Sequence, residues 1–100
     1  MMAFIKIPLE VLPNQSLTIR LGDNRYIIRL ITISDALMGI SITRDDIILI
    51  QNQRAIPKKK ILPEHKSSKY GNFVFITPDE IYPYYTEFNN GHELYFIPEA

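Results

Sequence analysis

From Leu17 the chain alternates without fault: Leu17, Ile19 and Leu21 fall on one side, Thr18 and Arg20 on the other. That is the period-two signature of a half-buried strand. Gly22-Asp23-Asn24-Arg25 then interrupts the pattern with residues that accept a positive φ or bond back to their own backbone, which predicts a hairpin. The returning strand, Tyr26 to Ile33, is different in kind. Tyr26, Ile28 and Leu30 make one apolar face, and Ile27, Ile31 and Ile33 make the other apolar as well. A strand apolar on both faces needs cover on both.

The same reading extends to both ends of the chain. Phe4–Leu9 reads as a strand whose Pro8 marks an edge or a terminus. Ser34-Asp35-Ala36 could cap a helix, but Gly39 and the renewed alternation of Ile40–Thr43 favour a short turn and a strand over Leu37–Thr43. Ile47–Ile50 is a further strand, apolar on both faces and ended by Gln51, Asn52 and Gln53; Phe73–Ile76 and Leu94–Ile97 complete the set. Between Ala55 and Tyr70, Pro57 and Pro63 predict an extended, irregular segment with Ile61 and Leu62 dipping into the core. About seven short strands joined by turns specify an all-β fold over residues 1–100, one domain built as a small antiparallel β-barrel or β-sandwich. No long helix is available to cover the outer faces.

At 100 residues with 46% hydrophobic content, the chain can bury one modest core, and disorder is excluded. No apolar run approaches a membrane span. Met1–Lys6 lacks the long apolar centre of a signal peptide, so no leader is expected. The absence of cysteine excludes a disulfide framework, a zinc ribbon and a thiol nucleophile. Net charge is zero but segregated. Arg54, Lys58, Lys59, Lys60, Lys66 and Lys69 face Glu64 alone, net +5, whereas the stretch from Tyr70 onward holds Asp79, Glu80, Glu87, Glu93 and Glu99 with no positive residue, net −5. Such a split can orient one subunit against another, or a loop against a neighbouring strand.

Candidate chemistry is thin. His65 and His92 each adjoin a glutamate, but neighbours on a strand point to opposite faces, a poor ligand spacing; both read as exposed loop histidines. Asp45-Asp46 reads as turn chemistry. Ser34, Ser41, Ser67 and Ser68 have no base beside them, and no glycine-rich phosphate loop is present. No catalytic, metal-binding or cofactor-binding residue is assigned, and no enzymatic activity is expected. The interface candidates are the aromatic, proline-interrupted segment Tyr82, Tyr84, Tyr85, Phe88 and the basic run Arg54, Lys58, Lys59, Lys60. Lysines with nearby tyrosines also define the alternative, a small β-barrel binding single-stranded nucleic acid. A solvated loop accounts for the lysines more simply, so nucleic acid is not the expected partner.

Three stretches together resemble one family. They are Ile7-Pro8-Leu9 with Pro13–Leu17, the Gly22–Leu30 hairpin, and Gly71-Asn72-Phe73-Val74-Phe75 with Tyr82-Pro83-Tyr84 and Glu93–Phe96. In this order they are similar to the small baseplate plug domains of contractile-tailed phages. The likeness runs from about Ile5 to Ile97 and is weakest between Ser34 and Pro63. There the family tends to have a glycine-containing turn and a glycine ahead of the Leu-Pro stretch, where this chain carries Asp45-Asp46 and the lysine run. The resemblance implies a compact structural β-domain of the virion tail baseplate, assembled in the host cytoplasm. It would help close or join hub and tube at the baseplate centre. Its partners would be other baseplate, hub or tail-tube proteins, with self-association a further expectation and no membrane involved. The family supplies no catalytic residues to carry over.

Overall fold

The computed structural model describes residues 4–67 and 69–98; Ser68 and Glu99, both named above, lie outside them. Seven strands are present among the described residues: β1 (Ile5–Lys6), β2 (Gln15–Leu21), β3 (Asn24–Thr32), β4 (Met38–Arg44), β5 (Ile47–Arg54), β6 (Asn72–Ile76) and β7 (Glu93–Ile97). They form two antiparallel sheets, a four-stranded meander β2-β3-β4-β5 and a three-stranded sheet β1-β7-β6. The sheets stay separate, so the fold is an open sandwich and not a closed barrel.

Turn chemistry sets the meander. The β2–β3 hairpin closes on the pair Leu21↔Asn24 around Gly22-Asp23, with Gly22 at φ +64 as the first central residue of a type II′ turn requires. The β4–β5 hairpin closes on Arg44↔Ile47, and both central residues, Asp45 (φ 49) and Asp46 (φ 70), are left-handed, as in type I′. Aspartate tolerates this conformation less well than glycine, and local bonds offset the cost. Asp45 accepts the Arg25 backbone N–H (2.9 Å) and the Asn24 side-chain amide (2.6 Å), and Asp46 pairs with the Arg25 guanidinium (2.5 Å).

β5 runs four residues beyond its expected end, through Gln51–Arg54. Its register against β4 slips twice, once at Leu49 and once around Asn52. The first slip lets consecutive residues Leu49 and Ile50 both turn inward, since an extra residue reverses the facing of those after it. At the second, Asn52 adopts φ 51 and its N–H donates to Ser41 Oγ (2.8 Å).

The core lies between the sheets. Tyr26 of β3 meets Phe73 of β6 edge-on (ring centroids 5.3 Å, 77°) and Phe96 of β7 (5.8 Å), while Phe73 and Phe96 stand 5.1 Å apart. Gly71 opens β6 at φ +108, where a Cβ would lie 2.6 Å from both the Ile97 carbonyl oxygen and the Phe96 ring. Ile61 and Leu62 are buried as expected. The segment leading to them is more ordered than its prolines predict. Lys58 and Ile61 donate their backbone N–H groups to Phe75 O (2.7 Å) and Phe73 O (2.9 Å), so residues 57–61 form a strap along the outer edge of β6. The Asn72 side chain completes it, accepting Leu62 N–H (2.8 Å) and donating to Leu62 O (2.9 Å). A one-turn helix, α1 (Glu64–Ser67), follows where irregular chain was expected.

Cover for the second apolar faces is partial. Ile50 is buried, Ile27 and Ile31 are half-buried, and Ile48 is 61% exposed.

Two expectations follow. No hydrogen bond of good geometry reaches the buried Tyr26 hydroxyl. Burial pushes its pKa up, while the nearby Arg44 guanidinium pulls it back. Tyr26→Phe should therefore leave stability unchanged or raise it by about 1 kcal/mol; a denaturant-melt loss above ~2 kcal/mol would show the hydroxyl to be well bonded. The Arg25 N–H, then Asn24, hold the Asp45 carboxyl below its ordinary 3.8. A depressed folded pKa gives stability that is present above the unfolded value and lost as pH falls through the lower folded one. Asp45→Asn should flatten the fall of Tm below pH 3.8, measured against the parent chain.

Candidate interface sites

The connection from β6 to β7 lines one wall of an apolar cleft. Thr77 is buried, and its hydroxyl donates to Ile81 O, folding a single 3-10 turn at Pro78–Glu80 back on itself. Pro83, also buried, keeps Ile81–Tyr84 out of regular pairing, as its sequence predicts. A second 3-10 turn, Tyr85–Glu87, then delivers Phe88 into the core.

His92 organises this connection. The residue is 4% exposed, and its Nδ1 accepts the Tyr84 backbone N–H (3.1 Å), so the ring hydrogen sits on Nε2. The His92 backbone N–H donates to Glu87 O (3.1 Å), and its own carbonyl accepts the Asn89 N–H (3.1 Å). The expected pair of exposed histidines is thus corrected: His65 is exposed on α1, but His92 is a buried clamp. Its imidazole satisfies a backbone group that Pro83 and the turn leave without a ladder partner. Among the described residues no group of three or more His, Asp or Glu is placed to hold a metal ion.

Two tethers attach this connection to the rest of the fold. Asn89 Nδ2 donates to Leu9 O (2.7 Å), and the Tyr84 hydroxyl donates to Ser34 O in the β3–β4 turn (3.1 Å). Burial, then Tyr85 and Asp35, push the Tyr84 hydroxyl pKa up, which keeps it a donor. Between the turn and the connection lies a cleft of about 700 Å³. Ala36, Leu37, Pro78, Ile81 and Tyr82 make its walls apolar, with Asp35 and Glu87 at its lining as well.

The predicted interface residues separate into three sets. Tyr82 (41% exposed) stands on the cleft, beside Ile81 (51%). Tyr84 and Tyr85 are half-buried, their rings tilted at 40° to each other with centroids 5.0 Å apart, and packed on the core. Phe88 is 1% exposed and spent inside the protomer, so it is removed from the candidates: the 3-10 turn rotates it inward where strand alternation would not. Arg54, Lys58, Lys59 and Lys60 are all exposed and do not line the cleft; Arg54, Lys59 and Lys60 border a separate depression of about 120 Å³. The lysines are displayed by the strap along β6, not by a free loop. The ion pairs formed among the described residues, Lys6–Glu93 (3.2 Å) and Arg25–Asp46, leave these lysines unpaired with the acidic segment. Sequence reasoning missed Asp35, Leu37 and His92 as cleft residues. The turn at Ser34–Ala36 was legible, but its meeting with Tyr84, fifty positions on, left no local signal.

Residues 4–99 match the family model of the cyanophage baseplate Pam3 plug gp18. The chain belongs to this baseplate plug family. A search of curated proteins found no match. Membership implies a structural role in a phage tail baseplate, and agrees with the resemblance carried by the Gly22–Leu30 hairpin and the β6 and β7 segments. At Asp45-Asp46 two left-handed aspartates make the β4–β5 turn without a glycine.

His92→Ala should leave the buried Tyr84 N–H without an acceptor and cost about 1–3 kcal/mol. Hydrogen exchange should accelerate at the Tyr84 amide ahead of the β3 amides; equal acceleration everywhere would mean His92 only fills space.

Proposed function

We propose that this plug-family chain is a non-catalytic virion part that closes or joins the hub and tube at the baseplate centre, acting by packing against those proteins after synthesis in the host cytoplasm. The observation that carries this reading is the apolar cleft between the β3–β4 turn and the β6–β7 connection, with Ile81 and Tyr82 presented on it. Ordered aromatic and aliphatic groups on a concave surface are what interface centres are made of. Segregated charge supports the same reading, since the exposed lysines can set orientation while the cleft supplies contact area.

Purified chain should capture the hub or tube protein encoded beside it. Ile81→Glu together with Tyr82→Glu should weaken that capture at least about tenfold with Tm unchanged, because both residues are exposed in the isolated protomer. Capture unaffected by the double change would move the interface away from the cleft. Absence of capture by any baseplate, hub or tube protein would remove the packing mechanism.

A further inference from the structure

A two-sheet sandwich has four strand edges, and three of them are managed here. The strap at residues 57–61 covers β6. β1 is two residues long and is followed by Pro8. β5 is bulged at Leu49 and Asn52, and the Lys66 ammonium occupies the Leu49 carbonyl (2.7 Å). Bulges, prolines, short strands and an edge lysine are the devices that keep an edge from recruiting another chain.

β2 has none of them. It is seven residues long, keeps unbroken register with β3, contains no proline and carries one charge, Arg20. No described backbone group outside its own sheet bonds to its main chain; at its first residue the Gln15 side chain exchanges hydrogen bonds with the Glu10 backbone (3.0 and 2.6 Å). Its inward residues Leu17 and Ile19 pack on the core but remain half-covered. The hairpin closes on the hydrogen-bonded pair Leu21↔Asn24, so alternation directs the N–H and C=O groups of Ser16, Thr18 and Arg20 outward.

We propose that two copies of the chain join through β2, antiparallel, about a two-fold axis at Thr18. This register is self-complementary. Thr18 faces Thr18 of the second copy, Ser16 faces Arg20, and Leu17 faces Ile19. The outward backbone groups pair with one another, no like charges stand opposite, and the half-covered aliphatic pair gains a neighbour on the inner face. The joined sheet has eight strands. The strand contact alone falls short of the roughly 1,200–2,000 Å² of a standard interface, so the dimer forms reversibly with concentration.

The proposal goes beyond the baseplate reading, because it concerns the chain with itself. Sedimentation velocity over a concentration series tests it with the parent chain, Thr18→Lys, Thr18→Asp and their equimolar mixture. Thr18 is exposed, so both variants should keep the parent's circular dichroism. The parent should pass from monomer to dimer, and each variant alone should associate at least tenfold more weakly. The mixture should recover, because the axis sets the ammonium introduced in one variant against the carboxylate introduced in the other. Parent association should not weaken as salt rises, since no opposite charges cross the axis. A parent monomeric throughout, variants that associate like the parent, a mixture that fails to recover, or steep weakening by salt would each overturn it. Should a charged variant misfold, Thr18→Cys decides in its place: the chain has no other cysteine, so oxidation should give a disulfide-linked dimer, and its absence counts against the axis. A monomeric parent that still captures its hub or tube partner overturns this pairing alone and leaves the baseplate reading standing.

Discussion

The contact among Tyr26, Phe73 and Phe96 is what holds two small sheets at a fixed separation. Each ring comes from a different strand, and tilted or edge-on pairs of this kind contribute about 0.5–1.5 kcal/mol beyond the area they bury. The constraint reaches outward from there. Gly71 must lack a side chain because the Phe96 ring and the Ile97 carbonyl occupy its space. Asn72, next in the chain, must then turn its amide toward Leu62, which aligns the strap with β6. A three-stranded layer centred on these rings cannot cover all of a four-stranded one. The shortfall appears at the margin, as half-covered Leu17 and Ile19.

The turns show how a chain with four glycines manages many tight reversals. Left-handed backbone falls on Asp45, Asp46, Asn52, Asp79 and Asn89, short polar residues that tolerate it, and also on Lys58, Lys69 and Glu80. Asp45 is the clearest case, with both carboxylate oxygens bonded to the adjacent hairpin.

Much of the architecture was legible before the structure. Alternation over Leu17–Leu21, the Gly22-Asp23 break and the return strand correspond to β2 and β3 within a residue or two, because a half-buried strand and its turn are written locally. The extension of β5 was not, because polar Gln51–Arg54 pair with β4 through bulges that only tertiary register defines. Periodicity predicts helices and strands, and Phe88 belongs to neither; a 3-10 turn decided which way it pointed. His92 was misplaced for a related reason. Its burial follows from an acceptor needed by Tyr84, and that need arises from Pro83 and the turn together. The candidate cleft was half legible: its aromatic wall stands out in the sequence, while the β3–β4 turn opposite it does not.

The strap along β6 divides labour between main chain and side chain. Its fold-holding bonds are made by peptide groups and by Asn72, while the side chains of Lys58, Lys59 and Lys60 point into water and make no bond that the sandwich needs. Substitution at Lys59 or Lys60 alters surface character without loosening a layer, whereas Lys58, at φ +61, tolerates fewer replacements. The charge this rail displays can therefore change one residue at a time while the folded part beneath it stays the same.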